Sequence, residues 1–294
     1  MAGEFGIAPP GFRLPGDTRI GRVRLQVSDL KRSISYYETV LGMRVLRQSA
    51  GNAEMGPHGE DRTLIELYEK GGARQVPRRG LLGLYHFAVL LPDRAALGRF
   101  IAHLAEIGAY AGMSDHLVSE AVYLTDPDGL GIEVYADRPR ESWTVASRQL
   151  EMTTKPLDVE SVVGSAGGKK WDGMPGGTKI GHVHFYVGDI DRAASFYHAG
   201  LGLDKIVWNY PGALFMSAGG YHHHVGVNTW AAGASPASAD DAKLVEWELI
   251  LPSQAAVKSA GDSIATAGYT VNADGDTMLA RDDWGIAVRI RPEG

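Results

Sequence analysis

The chain contains no cysteine, which excludes thiolate nucleophiles, disulfides and cysteine-ligated metals. Metal or proton chemistry therefore falls to histidine and carboxylate. Two stretches gather such residues. One runs from His116 through Tyr123 and Asp126-Pro127-Asp128-Gly129 to Glu133. The other is Gly220-Tyr221-His222-His223-His224-Val225. Imidazole holds or releases a proton near neutral pH, which suits general acid–base work. Two imidazoles and one carboxylate, with open positions beside them, form the ligand set that Fe(II) needs for oxygen chemistry. Blander roles compete. Residues 126–129 have the composition of a tight turn and are assigned no chemistry. A triple histidine also occurs as a surface run, and a single histidine in an apolar strand, such as His86, is ordinarily structural.

The elements that position these residues are repeated. Thr18, Ile20, Gly21, Val23, Val27, Asp29, Arg32, Ser35, Tyr37, Leu41 and Gly42 recur as Thr178, Ile180, Gly181, Val183, Val187, Asp189, Arg192, Ser195, Tyr197, Leu201 and Gly202. The same offset relates Leu91-Pro92 to Leu251-Pro252 and Gly108 to Gly268. Two halves follow, residues 18–140 and 178–294, behind a loose N-terminal arm (residues 1–17) and on either side of a linker (residues 141–177) whose latter part is glycine-rich. Each half divides again. Residues 20–27 alternate as a strand, Asp29 caps a helix with Ile34, Tyr37 and Leu41 on one face, and Gly42 stops it. Strands then follow, and the pattern restarts with the strand at His86 and the helix from Asp93 to Ile107. Modules begin near Ile20, Leu84, Ile180 and Val245. The fold class is α+β, with four modules of strand, helix and strands; the resemblance described next implies that these βαβββ modules pair into two cup-shaped mixed sheets with helices outside.

The opening phrases "VSDLKRSISYYETVLGM" and "VGDIDRAASFYHAGLGL" resemble the vicinal oxygen chelate superfamily of glyoxalase I, extradiol dioxygenases and bleomycin-resistance proteins. In that superfamily metal ligands come from the first and last strands of paired modules. The resemblance thus implies first-strand slots at Arg22, His86, His182 and Glu246, and last-strand slots at Glu66, Glu133, Gly226 and Arg289. His86, His182 and Glu133 make the two-imidazole, one-carboxylate triad, provided that module 2 pairs with module 3 and module 1 with module 4. Consecutive pairing leaves a rival site of His86, Glu133 and Glu66. An arginine cannot ligate a cation, so modules 1 and 4 read as retired copies.

The segment from His116 to Glu133 is similar to the extradiol ring-cleavage dioxygenase motif, with Ser114 as its one departure. The resemblance implies that Glu133 is an iron ligand and that Tyr123 and His116 face the substrate. Gly220-Tyr221-His222-His223 resembles the segment that supplies the family's acid–base histidine, which would be His223. His222 and His224 remain open for that role. The implied enzyme is a catechol 2,3-dioxygenase-like extradiol dioxygenase taking a small aromatic diol and O2, with Fe(II), or Mn(II), as cofactor. Two rivals share the scaffold: a glyoxalase-like metal-dependent isomerase or lyase, and a metal-free protein that sequesters an aromatic molecule. The mild net charge of −6 without a basic stripe argues against nucleic acid. No apolar run reaches membrane-span length. A cysteine-free chain suits a cytoplasmic setting, and a homo-oligomer is compatible with the sequence.

Overall fold

A computed structural model describes residues 5–294. Module 1 comprises β1 (Arg19–Val27), α1 (Leu30–Thr39), β2 (Arg44–Ser49), β3 (Asn52–Gly56) and β4 (Ile65–Glu69). Module 2 comprises β5 (Gly83–Leu90), α2 (Arg94–Glu106), β6 (Gly112–Asp115), β7 (Ser119–Thr125) and β8 (Gly131–Asp137). A short hairpin, β9 (Val145–Ala146) with β10 (Gln149–Leu150), and α3 (Val159–Gly164) come next. Module 3 has β11 (Lys179–Tyr186), α4 (Ile190–Ala194) continued by a π-helical turn (Ser195–Gly200), β12 (Asp204–Val207), β13 (Ala213–Ser217) and β14 (Val225–Asn228). Module 4 has β15 (Lys243–Leu251), α5 (Gln254–Thr266), β16 (Val271–Asp274), β17 (Thr277–Arg281) and β18 (Ala287–Pro292). In all four modules a side chain caps the helix that follows the first strand. Asp29, Asp93, Asp189 and Ser253 each accept a hydrogen bond from the backbone N–H three residues on.

The modules pair non-consecutively. One eight-stranded sheet runs β16-β17-β18-β15-β1-β4-β3-β2 and joins modules 4 and 1. The other runs β12-β13-β14-β11-β5-β8-β7-β6 and joins modules 3 and 2. At the centre of each, two first strands run antiparallel, and each is flanked by the parallel last strand of its own module. The halves seen in the sequence repeat are therefore not the sheets. Strand alternation then sorts the side chains. Val23, Leu25, Phe87, Val89, Val183, Phe185, Trp247 and Leu249 are fully buried in one core shared by both sheets and the helices. The residues between them, including Arg22, Arg24, His86, His182, His184, Glu246 and Glu248, belong to the opposite, cup faces.

Two repeated contacts lock the sheets together. Tyr37 of α1 donates to Asp126 in the turn between β7 and β8 (3.3 Å), and Tyr197 donates to Asp282 in the turn between β17 and β18 (3.0 Å). In the first turn Asp128, fully buried, also accepts from the Ser28 backbone N–H (2.8 Å) and hydroxyl (2.6 Å) and pairs with Arg32. The turn closes on Gly129, whose φ of +87° glycine adopts without a steric penalty.

Two sequence expectations need correction. The N-terminal arm is not loose from residue 5 on. Gly6 N–H donates to the Arg148 carbonyl, Ile7 bridges Lys205, and Leu14 N–H donates to the Gly202 carbonyl. The segment 141–177 is not slack either. It forms β9, β10 and α3, and α3 packs on α2 through buried Val162. Polar, glycine-rich composition marked it as linker, whereas backbone pairing with its neighbours orders it. No helix among the described residues is long and apolar enough to cross a membrane.

Burial pushes the Asp126 carboxyl up to about 7, although two backbone N–H groups and Tyr37 favour its ionised form. A carboxyl raised in the folded state contributes stability that is full below its ordinary value near 4. That contribution is lost as pH rises through about 7. Asp126→Asn should therefore flatten the fall in unfolding free energy between about pH 4 and pH 7. Urea denaturation at several pH values measures it, and an unchanged slope would show that Asp126 is ionised throughout.

Candidate active site

His86 on β5, Glu133 on β8 and His182 on β11 converge on the cup of the module 2–module 3 sheet. Register explains why. His184 lies opposite His86 and His182 opposite Ala88, with irregularities between Ile180 and His182 and between His184 and Phe185. Ala88 in turn lies beside Glu133 in the parallel β5–β8 pair. The Nε2 atoms of His86 and His182 stand 3.0 and 3.2 Å from Oε2 of Glu133. One potential ligand atom from each residue lies within 4.8 Å of the other two, and all three residues are buried.

This set fits a divalent cation. Nδ1 of His86 and Nδ1 of His182 are buried without a hydrogen-bond partner, and such orphaned groups are costly unless something satisfies them. Burial would raise the Glu133 carboxyl, but His182 and His86 hold it well below the usual carboxylate range. Burial lowers His182 to about 4. The set thus offers a carboxylate at Glu133 and a neutral imidazole at His182, the forms in which these side chains ligate metal, with the His86 ring beside them. The rival Glu66 lies on β4 in the other sheet, where it pairs with Arg22 (3.3 Å) and Arg24 (3.2 Å).

A cavity of about 220 Å³ opens beside the triad. His116 and Tyr123 line it and contact each other at 2.6 Å. His116 Nδ1 lies 2.8 Å from the Thr153 carbonyl, which can only accept, so Nδ1 carries a proton. In the neutral ring Nε2 then accepts, and the Tyr123 hydroxyl donates to it. Burial raises the Tyr123 hydroxyl well above the usual phenol value, with Glu133 adding to the effect. Tyr123 therefore keeps its proton.

Of the triple histidine, His223 alone lines this cavity. Its ring centroid is 4.0 Å from that of His182 and 5.0 Å from Phe215. His222 lies behind it, with Nε2 on Asp137 (3.0 Å) and Nδ1 on Nδ1 of His223 (2.7 Å). Asp137 accepts from the Nε2–H of His222, whose Nδ1 then faces Nδ1 of His223 as the acceptor. His223 then donates from Nδ1, which leaves its Nε2 as a base. His224 turns away to Ser217 (2.9 Å).

Sequence reasoning missed several lining residues. His184 could have been found, because it sits two places after His182 and alternation puts it on the same face. Its ring is 5.0 Å from His86, and Asn228 donates to its Nε2 (3.1 Å). Tyr85, Tyr210 and Trp230 carry no motif. Met152, Thr153 and Thr154 come from the supposed linker and gave no signal.

The other cup has a larger cavity, about 810 Å³, but different chemistry. Arg22 pairs with Glu248 (2.9 Å), Arg291 with Glu248 (3.1 Å) and Arg289 with Glu246 (3.0 Å). Its ligand slots are occupied by arginines and the glutamates they neutralise, so the candidate cation cluster belongs to the smaller cavity alone among the described residues.

Residues 19–134 and 179–290 match the family model described as the Glyoxalase/Bleomycin resistance protein/Dioxygenase superfamily. A catechol-2,3-dioxygenase of Bacillus subtilis (strain 168) is 42% identical over 273 residues, covering 90% of this chain and 94% of its own. A putative dioxygenase from Bacillus subtilis shares the fold with a TM-score of 0.66 at 16% identity, over 96% of this chain and 86% of its own. Glyoxalase I from Zea mays does so with a TM-score of 0.56 at 18% identity, over 93% and 92%.

One divalent ion per chain should bind. His182→Ala should abolish that binding, whereas Glu66→Gln should retain it. Metal analysis after dialysis reads both, and loss of metal from the Glu66 variant would place a site in the wrong cup.

Proposed function

The chain belongs to the glyoxalase/bleomycin resistance protein/dioxygenase superfamily, and from that premise we propose that it is an Fe(II)-dependent extradiol dioxygenase opening a catechol-type ring with O2. The observation that carries the reading is the clustering of His86, His182 and Glu133 beside one small cavity that His86, Glu133, His116, Tyr123 and His223 line. The relative named catechol-2,3-dioxygenase supports the same reaction class. His86, His182 and Glu133 would hold the metal. When bound, Fe(II) supplies open positions for a diol and O2 and a route for charge between them.

The protein's own groups then have distinct tasks. Nε2 of His223 is the free base in the cavity, suited to take a proton from a catechol hydroxyl. The Asp137–His222 pair behind it fixes its tautomer. Tyr123 keeps its proton and His116 holds it in place, so this pair is suited to hydrogen-bond a substrate oxygen. Tyr85, Phe215 and Trp230 give the cavity an aromatic wall suited to a substrate ring. Both oxygen atoms of O2 enter the product as the carbon–carbon bond beside the diol breaks, so no external reductant is required. A glyoxalase-like isomerase would call for a fourth protein ligand, and no other residue joins the three in the cluster found among the described residues. A metal-free binding protein leaves the orphaned nitrogens of His86 and His182 without purpose.

The test is anaerobic Fe(II) loading followed by catechol and O2, with formation of a yellow ring-fission product as the expected outcome. Zinc-loaded protein should be inactive. If manganese alone restores turnover, the metal assignment is wrong. His223→Ala should retain iron but lose turnover by roughly 10²- to 10⁴-fold, the usual effect of removing a general acid–base group. If His222→Ala or His224→Ala is dead while His223→Ala is unimpaired, the base has been misassigned.

A further inference from the structure

We propose that residues 149–155, which lie outside the modular repeat, form the wall that selects the ring substituent, and that they admit a single-ring catechol with hydrogen or a small apolar group. This rests on the dioxygenase reading above. β6 and β12 are the two outer edges of the catalytic sheet, and this segment is tied to both. At the β6 edge, Asp115 and Lys155 exchange backbone hydrogen bonds of 2.9 Å. Beyond β12, the Gln149 side-chain oxygen accepts from the backbone N–H groups of Trp208 (2.7 Å) and Asn209 (3.0 Å). The segment thus spans the open side of the cup from lip to lip.

Between these ties, Met152, Thr153 and Thr154 line the cavity. The Thr154 hydroxyl bonds to the Tyr210 hydroxyl (3.1 Å), which fixes Tyr210 beside Phe215 and Trp230. Widening the cavity on this side means breaking such bonds. Its volume, about 220 Å³, is below the roughly 300–1,000 Å³ of pockets for larger ligands. No lysine or arginine lines it. A carboxylated substituent would give up its hydration there without a side-chain cation to pair with, which is unfavourable.

The probes are catechol, 3-methylcatechol, 3-phenylcatechol and 2,3-dihydroxybenzoate. Each is measured by kcat/KM and, anaerobically, by quenching of tryptophan fluorescence on binding. The unaltered protein should favour the first two. Met152→Ala should improve 3-phenylcatechol relative to catechol by about tenfold or more, the scale on which a few methylenes discriminate, and leave the carboxylated compound rejected. Tyr210→Phe keeps the ring but frees Thr154, and should shift the ratio in the same direction. Equal use of catechol and 3-phenylcatechol by the unaltered protein would overturn the proposal. So would an unchanged ratio in both variants. If no catechol is opened, the dioxygenase reading fails, and the binding ratios still judge the wall. If none of the probes binds, both fall.

Discussion

The antiparallel pairing of β5 with β11 is the constraint on which the site depends. It sets His184 against His86 and brings His182 within 3.2 Å of Glu133. A slip of one residue would turn every side chain of either strand to the other face. What resists the slip is the opposite face, where Phe87, Val89, Val183 and Phe185 are fully buried. Apolar burial on one side of the sheet therefore holds a costly cluster of imidazoles and a carboxylate on the other.

The second sheet repeats that geometry with different chemistry. Its cup bears Arg22, Arg24, Arg289 and Arg291 against Glu66, Glu246 and Glu248. These partly exposed pairs contribute little stability individually. Their effect is to neutralise one another, leaving no free carboxylate with two imidazoles beside it. The first cup gathers imidazoles around one carboxylate, whereas the second pairs each of its glutamates with at least one arginine. One architecture thus carries a histidine-lined cup and an arginine-lined cup.

Much of this was legible in the sequence because it rests on periodic or spaced residues. The offset between Tyr37 and Tyr197 gave the repeat, and Asp29 and Asp93 gave the starts of the helices in modules 1 and 2, with Asp189 recurring in place of Asp29. The placing of histidine at His86 and His182, with arginine at Arg22 and Arg289, indicated which modules must pair. The same signals could not show the wall of the cavity. Thr153 contributes a carbonyl, which every residue has. Thr154 and Gln149 act through bonds to residues far along the chain. The choice among His222, His223 and His224 needed the position of Asp137, which only the folded sheet supplies. The tight turn at residues 126–129 was read correctly as a turn, but its role in joining the two sheets through Tyr37, Ser28 and Arg32 is a tertiary fact.

Non-consecutive pairing also sets an order of assembly. The catalytic sheet uses the middle of the chain, with Lys179 beside Leu90 across its centre. The other sheet joins the chain's two extremes, with Arg19 beside Ile250. As the chain leaves the ribosome, module 1 emerges first but finds its partner strand last. Until β15 arrives, one side of β1 has no strand to pair with, and an unpaired edge is a template for wrong pairing. Its Arg22 and Arg24 place like charges along that edge, which disfavours association with a second nascent copy. The ring of contacts closes only when module 4 docks, so the slow, long-range step of folding falls on the arginine-lined sheet. The apolar face of the middle sheet is fully covered only at that step, because Phe185 packs against Trp247 of module 4.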